Sequence, residues 1–159
     1  MPRIAIYPGT FDPLTNGHVS ILNRGLRVFD KVICALAVNI RKTPLFTVEE
    51  RAELIKMSFP DDRVEVDTFD GLLVEYARSR NVPVILRGLR AISDFEYELQ
   101  MANMNRKLDD EIDTVFMMTE DSDFYVSSSL VKEVARFGGK LEGVVPAHVE
   151  QKLIEKFSK

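Results

Sequence analysis

Residues 3–38, RIAIYPGTFDPLTNGHVSILNRGLRVFDKVICALAV, contain the pattern that predicts the architecture of the whole chain. A short β-rich run comes first and is followed by a loop that contains proline and glycine. Apolar residues then recur at helical spacing: Val19, Leu22, Leu26 and Phe29. The run at 31–38 is almost entirely apolar, as a strand covered on both faces requires. A strand, a helix and a buried strand predict a βαβ unit with parallel strands.

The rest of the chain repeats this alternation of strand and helix patterns. Strand-like runs lie at 63–69, 82–86 and 114–118. Helices are predicted at 47–59, 71–80, 93–108, 127–137 and, with Pro146 at the first position, near the C-terminus. Two helices should open with capping boxes, Thr47–Glu50 and Ser93–Glu96, and Gly138-Gly139 should end another. The predicted class is α/β, with one doubly wound five-stranded parallel sheet and helices on both faces.

Length, charge and cysteine content limit the classes of protein. A chain of 159 residues has the size of a single domain, 1–159. Its 21 basic and 25 acidic residues give a net charge of −4, which argues against nucleic acid and anionic membrane as partners. Cys34 is the only cysteine, so an intramolecular disulfide is excluded and a reducing compartment is indicated. The longest apolar run is too short to span a bilayer, and we expect a cytoplasmic protein.

The loop at 8–18 lies where a ligand is expected, because ligands of doubly wound sheets bind beyond the carboxyl ends of the strands. Its prolines and glycines predict a rigid loop. It brings Gly17 and His18 to the start of a helix, where free N–H groups suit an anion. A lone histidine at such a place is more often only a helix cap.

Basic and hydroxyl residues follow three other strands. Lys42 alone is typical of a solvated surface. Arg87 and Arg90, on either side of Gly88, suit multidentate recognition of phosphate unless surface acids pair with them. The run 127–129 is three serines at a helix start, and one cap explains only one of them. Together these residues predict a site for a heavily phosphorylated small molecule in a protein that is acidic overall.

The common nucleotide and hydrolase fingerprints are absent from the sequence. It contains no G-x-x-x-x-G-K-[ST] and no G-x-G-x-x-G, so neither a P-loop nor a standard dinucleotide fold is supported. It also lacks the G-x-S-x-G turn of the Ser-His-Asp hydrolases.

Several strings resemble a known family. Thr15-Asn16-Gly17-His18 resembles the (H/T)-x-G-H motif of the nucleotidyltransferase superfamily, and 126–132 resembles its second signature. More narrowly, YPGTFDPLTNGH (7–18), RGLRAISDFEYELQMANMNR (87–106) and SSSLVKEVAR (127–136) are similar to those of the bacterial phosphopantetheine adenylyltransferase family, and the similarity runs from end to end. Lys132 and Ser129 depart from the superfamily signature, which often has arginine and threonine there.

The resemblance implies a Rossmann-like nucleotidyltransferase fold and a reaction. ATP and 4′-phosphopantetheine would give dephospho-coenzyme A and pyrophosphate, a step of coenzyme A synthesis, with Mg²⁺ accompanying the nucleotide. No side chain is implied as a metal ligand. Inhibition by the product or by coenzyme A is compatible with the resemblance.

The resemblance also implies roles for individual residues. Thr10, Lys42 and Arg87 would contact the phosphate of phosphopantetheine, and the backbone of Leu73 its pantetheine arm. The implied ATP-binding residues are Thr10, Phe11, His18, Gly88, Leu89, Arg90, Glu98, Asp123, Phe124, Tyr125, Val126, Ser127, Ser128 and Ser129. His18 would be catalytic, donating to the α-phosphate in the transition state, while Arg90 and the serine helix hold the leaving pyrophosphate. Asp123 is unexpected because it places an acid near ATP.

The helix predicted at 93–108 carries two apolar stripes. One contains Phe95, Leu99 and Ala102; the other contains Tyr97, Met101, Met104 and Leu108. A helix on the outside of a sheet needs one stripe, so the second indicates a subunit interface. The alternative is a helix buried between the sheet and the C-terminal helix. The resemblance implies a homohexamer, a dimer of trimers.

Two other functions stay open from the residues alone. A related nucleotidyltransferase could use another acceptor, such as nicotinamide mononucleotide or glycerol 3-phosphate. A non-catalytic nucleotide-binding regulator could be built on a similar sheet. His18 distinguishes the second alternative, because binding alone does not need a donor at the α-phosphate.

Overall fold

The computed structural model describes residues 1–38, 43–123 and 126–158. Its sheet is parallel throughout, in the order β3-β2-β1-β4-β5. The strands are β1 (Ile4–Gly9), β2 (Lys31–Ala37), β3 (Val64–Phe69), β4 (Val84–Leu89) and β5 (Asp113–Met118). The predicted α/β class with a five-stranded parallel sheet is confirmed.

Helices alternate with these strands along the chain. They are α1 (Asn16–Val28), α2 (Val48–Ser58), α3 (Leu73–Ser79), α4 (Ile92–Leu108), α5 (Ser128–Arg136) and α6 (Ala147–Phe157). The capping box predicted for α2 is confirmed. The Thr47 hydroxyl accepts from the Glu50 N–H at 3.1 Å, and the Glu50 carboxylate accepts from the Thr47 N–H at 2.9 Å.

Three local predictions are wrong. The capping box predicted at Ser93–Glu96 is absent because α4 begins at Ile92, with Ala91 as its N-cap, so Ser93 lies inside the helix and no side chain caps its start. Strand β4 continues to Leu89 rather than ending at residue 86, so residues 87–89, which were predicted to follow the strand, are paired with β5. Pro146 is the N-cap of α6 rather than its first helical residue.

Side chains alternate between two cores, one on each face of the sheet. In β1, Ala5 and Tyr7 belong to one core, and Ile6 belongs to the other. The larger core includes buried residues of α1, α2, α5 and α6, whereas the smaller one includes Val74 and Ala77 of α3. Helix α4 contacts β4, β5 and α3, and so lies on the second face. Helices therefore cover both faces, as predicted.

The position of β1 creates a switch point. The chain leaves β1 for β2 on one side and later returns to β4 on the other, so the two crossovers diverge at the carboxyl ends of β1 and β4. Helix α1 lies very close to β4 there, since a Cβ at Gly88 would be 2.8 Å from Cγ1 of Ile21. In the described part of the chain, no helix has the length and apolarity needed to cross a membrane.

The two apolar stripes of α4 are uncovered to a large degree. In the second stripe, Tyr97 is 63 % and Met104 56 % exposed; in the first, Phe95 is 45 % and Leu99 41 % exposed. The alternative in which the sheet and the C-terminal helix bury this helix is therefore wrong for the single chain.

Candidate active site

A cavity of about 550 Å³ opens at the carboxyl ends of β1 and β4. This volume is typical of small-molecule sites. The sequence-predicted residues that line it are Thr10, Phe11, His18, Arg87, Gly88, Arg90, Glu98, Val126, Ser127, Ser128 and Ser129. Segments that are far apart in sequence thus meet at the rim where the strand pattern placed them.

Other predicted site residues do not line this cavity or are not described. Lys42, Phe124 and Tyr125 lie outside the described residues. Leu73 begins α3 and packs on the smaller core, and Leu89 ends β4 without lining the cavity.

Asp123 is buried beneath the rim rather than on it. It ends a short 3₁₀ turn, Asp121–Asp123, and its backbone oxygen accepts from the Val126 N–H at 3.1 Å. Burial raises the pKa of its carboxyl, and the nearby Glu120 adds to the increase. The acid that the sequence placed near the nucleotide is therefore turned into the protein.

His18 is held in one orientation by the start of its own helix. Thr15 is the N-cap of α1, and its backbone N–H donates to Nδ1 of His18 at 3.0 Å. A nitrogen that accepts a hydrogen bond carries no proton in neutral imidazole, so the proton lies on Nε2. The ring also packs against Phe11, with 4.9 Å between ring centroids. Capping and presentation of an Nε2 donor are therefore compatible in the same residue.

The imidazole of His18 is neutral at pH 7. Burial is the main cause, and the positive charges of Arg90 and Arg87 add to it, lowering the pKa from 6.5 to about 4. A neutral ring with its proton on Nε2 can donate a hydrogen bond to an anion without giving up a proton.

The two arginines of the rim are each held by a carboxylate of α4. Arg87 donates from Nε and Nη2 to Glu98 at 2.8 and 2.6 Å, and from Nη1 to the Pro8 carbonyl at 2.9 Å. Arg90 donates to both carboxylate oxygens of Asp94 and, at 2.9 Å, to the Val126 carbonyl. Burial works to raise the pKa of Asp94, but the hydrogen bonds with Arg90 outweigh it and lower the pKa.

A third ion pair crosses the cavity wall and was missed from the sequence. Asp12 accepts from the backbone N–H groups of Leu45 and Phe46, both at 2.9 Å, and from Nζ of Lys132 at 3.0 Å. It therefore ties the loop after β1 to the segment before α2 and to α5. In the sequence Asp12 looks like a turn residue, and no local signal points to these distant partners.

The three serines at the start of α5 make different contacts. Ser127 caps α5 by accepting from the Leu130 N–H at 3.2 Å, and Ser128 donates its hydroxyl to the Pro13 carbonyl at 2.8 Å. Ser129 is exposed at the rim. Capping thus explains the hydroxyl of Ser127, and a hydrogen bond from the start of α5 to the loop after β1 explains that of Ser128.

Comparison with known proteins gives the class. The family described as cytidylyltransferase-like matches residues 6–134, more than half of the chain, so the chain belongs to this class of nucleotidyltransferase-like proteins. A solved structure, the lipopolysaccharide core biosynthesis protein from Thermoplasma volcanium GSS1, is similar with a TM-score of 0.57 and 20 % identity. The match covers 76 % of this chain and 100 % of that one, and it concerns the fold alone.

Full-length relatives give the narrower family. The phosphopantetheine adenylyltransferase of Anaeromyxobacter sp. (strain K) is 58 % identical over 160 residues, covering 100 % of this chain and 98 % of the relative. That of Geobacter metallireducens is 53 % identical over 161 residues, covering 100 % and 99 %. The chain belongs to the phosphopantetheine adenylyltransferase family, which confirms the resemblance found in the sequence.

The lowered pKa of His18 predicts a dependence of stability on pH. Between pH 6.5 and about 4, the unfolded chain binds a proton at His18 that the folded chain does not. The free energy of unfolding should therefore fall as pH decreases through this window, by up to about 3 kcal/mol. Urea unfolding at pH 7 and pH 4.5 should show a smaller loss for His18→Gln than for the wild type. Equal losses of stability in His18→Gln and the wild type would contradict the lowered pKa of His18. The control is His148→Gln, which removes the other histidine of the chain and should lose as much stability as the wild type.

Proposed function

We propose that this chain, as a single nucleotidyltransferase domain, transfers the adenylyl group of ATP to 4′-phosphopantetheine, giving dephospho-coenzyme A and pyrophosphate. Family membership supports the choice of substrates. The observation that carries the mechanism is the neutral His18, whose Nδ1 accepts from Thr15 and whose Nε2–H is therefore available to an anion. We place the reaction in the cytoplasm, because the single cysteine, Cys34, indicates a reducing compartment.

The step needs no general base. The second pKa of a phosphate monoester lies near 6, so the attacking phosphate is largely a dianion at pH 7. One of its oxygens forms a bond to the α-phosphorus of ATP while the bond to the oxygen bridging to the β-phosphorus breaks. Pyrophosphate leaves with that electron pair, and no proton has to move. The protein's task is to align the two phosphates and stabilise the charge that develops.

His18 is the proposed donor to that charge. Its Nε2–H would donate to the α-phosphate oxygens, and this hydrogen bond strengthens as the phosphorus becomes pentavalent. Because the ring is already oriented by Thr15 and Phe11, little reorganisation is needed when the reaction occurs. Arg90 and the start of α5 would hold the β- and γ-phosphates that leave.

The phosphate of the acceptor would bind in the same cavity as ATP. Thr10, Lys42 and Arg87 are its proposed contacts, with the pantetheine arm extending toward the backbone of Leu73. Thr10 and Arg87 line the cavity together with His18, which supports a meeting of the two phosphates there.

Mg²⁺ is proposed to enter with the nucleotide. Among residues 1–38, 43–123 and 126–158, no group of three or more His, Cys, Asp or Glu side chains could hold a metal ion. Mg²⁺ usually keeps several waters and binds through one or two carboxylates and substrate phosphates, so its entry with ATP does not require such a group. When bound, the ion would supply neutralisation of phosphate charge.

The reaction can be tested by measuring pyrophosphate release from ATP and Mg²⁺ with three acceptors in parallel. We expect release with 4′-phosphopantetheine and none above background with nicotinamide mononucleotide or glycerol 3-phosphate. Release with either of these instead would assign a different acceptor. ATP binding without release from any of the three would favour a regulator.

Replacing His18 tests its role. Losing one preorganised donor typically costs about 10²–10³ in rate, so His18→Ala should lose at least this much in kcat. Its affinity for ATP, measured by calorimetry without acceptor, should change much less. The control is His148→Ala, which replaces the other histidine, outside the cavity, and should retain activity. A His18→Ala enzyme within about threefold of the wild type would refute the role.

We also propose that the chain assembles through α4 into a homohexamer, as the family resemblance implies. The support is the apolar surface that both stripes of the helix leave uncovered. Inhibition by the product or by coenzyme A, through the same cavity, stays a prediction.

The assembly can be tested by analytical ultracentrifugation. The wild type should sediment as a species six times the mass of one chain, and Met104→Glu should shift it to smaller species because the charge would be buried at the interface. Met57→Glu, an equally exposed methionine on α2, is the control. A wild type that sediments as a single chain would refute the proposal.

A further inference from the structure

The largest fully buried side chain of the described residues belongs to an arginine. Arg51 of α2 is 1 % exposed, although it carries a charge. It lies on the same side of α2 as Leu54 and Ile55, which pack in the larger core. Charged side chains are almost never buried so completely unless they are paired. This placement requires an explanation.

The donors of Arg51 meet backbone carbonyls from three segments. Nη1 donates to the Thr10 oxygen at 2.8 Å and to the Ala37 oxygen at 3.4 Å, and Nε donates to the Thr47 oxygen at 3.3 Å. The guanidinium therefore joins the chain just past β1 to the end of β2 and the start of α2. The bond to Thr10 is the shortest of the three.

No carboxylate of the described residues lies within 4 Å of Arg51, unlike the other cations of this region. Among the residues that the structure describes, three lysines and arginines line the cavity and each has one: Glu98 for Arg87, Asp94 for Arg90 and Asp12 for Lys132. Carbonyl dipoles accept the hydrogen bonds of Nε and Nη1 of Arg51, but they do not cancel its charge. The positive charge of Arg51 can therefore favour the binding of an anion in the adjacent cavity, which Thr10 lines.

The bond to Thr10 also fixes the direction of a peptide group. The Thr10–Phe11 peptide is trans, so its C=O and N–H point in opposite directions. With the carbonyl on the buried guanidinium, the Phe11 N–H points to the other side of the loop, where both residues line the cavity. No acceptor for this N–H is found among the residues that the structure describes.

The conformation that follows this peptide has to be held in place by its surroundings. Phe11 has φ of 49°, in the left-handed region that residues other than glycine seldom adopt. Burial of its ring and the anchored Thr10 carbonyl hold it on either side. Loss of the anchor should let the peptide turn away from the cavity.

We propose that Arg51 is a positioning residue for phosphate binding. It holds the Thr10–Phe11 peptide so that the Phe11 N–H and the Thr10 side chain face the phosphates, and it adds a positive charge that no described carboxylate cancels. The proposal rests on the proposed function, because it takes the cavity to be the site of the ATP phosphates.

Two substitutions separate orientation from charge. Arg51→Met removes both the donors and the charge but keeps an unbranched apolar side chain. Arg51→Lys keeps the charge but loses the planar fork that reaches several carbonyls. Arg63→Met removes an exposed arginine whose ion-pair partner is Asp61, outside the cavity, and is the matched control. Folding is checked by circular dichroism and thermal unfolding.

The readout is the dissociation constant of ATP, measured by calorimetry at several KCl concentrations without acceptor. We expect Arg51→Met to weaken binding about 10- to 100-fold, with a shallower dependence on salt because a positive charge has been removed. Arg51→Lys should also bind more weakly but keep the salt dependence of the wild type. Arg63→Met should match the wild type in both.

Each outcome decides the proposal. A folded Arg51→Met protein with the affinity and salt dependence of the wild type would overturn it, since Arg51 would then be only structural. If Arg51→Met does not fold, Arg51→Lys decides instead, and affinity like that of the wild type would overturn the orienting role. Weaker binding by the folded Lys variant supports it.

Failure of the proposed reaction would look different. A wild type that binds ATP but releases no pyrophosphate would refute the reaction and leave the role of Arg51 in phosphate binding standing. A wild type that does not bind ATP would overturn both.

Discussion

Burial of β1 between β2 and β4 is the constraint on which the site depends. Strand β1 has a neighbouring strand on each side and helices over both faces of the sheet, so its side chains must be apolar on both faces. Its carboxyl end opens where the two crossovers diverge. The loop after β1 is therefore held between the end of β4 and the start of α5. Arg87, Ser128 and Arg51 all donate to carbonyls of this loop or of the strand end before it. The loop is rigid because the surrounding elements hold its backbone, and not only because it contains proline and glycine.

His18 shows how one residue can serve the fold and the chemistry together. The hydrogen bond from Thr15 that caps α1 also fixes the tautomer of the ring. Burial keeps the ring neutral, and neutrality is what permits Nδ1 to accept from Thr15. Protonation would break the hydrogen bond from the Thr15 N–H as well as change the donor, although the Thr15 hydroxyl could still accept from the His18 N–H. The local stability of the helix start and the state of the site are therefore linked.

The sequence allowed prediction of those features that depend on local patterns. Each such pattern spans only a few residues. The structure confirms three of them: the apolar run of β2, the capping box at Thr47 and the glycines that follow α5. The end of β4 was not predictable in this way. An arginine and a glycine are typical of a loop, and only pairing with β5 makes them part of a strand.

Side-chain contacts between distant parts of the chain could not be predicted from the sequence either. Ser93 and Glu96 have the spacing of a capping box, but the helix begins before them, at Ile92, where Asp94 accepts from Arg90. Asp12 has its partners more than thirty residues away. The burial of Arg51 could have been predicted from the sequence. Arg51 shares the helical face of Leu54 and Ile55, so it places a charge within an apolar stripe.

The carboxylates that hold the cavity's cations also bear on selectivity among small anions. Arg87, Arg90 and Lys132 each meet an incoming ligand with an acid already in place. A simple inorganic ion that binds one of them exchanges one negative partner for another and gains little. A polyphosphate carries several charges in fixed succession and can engage several donors at once, so its gains accumulate. Such a site favours a ligand that engages several groups at once, either a polyphosphate or a phosphate carried on a longer molecule, over free inorganic phosphate and sulfate.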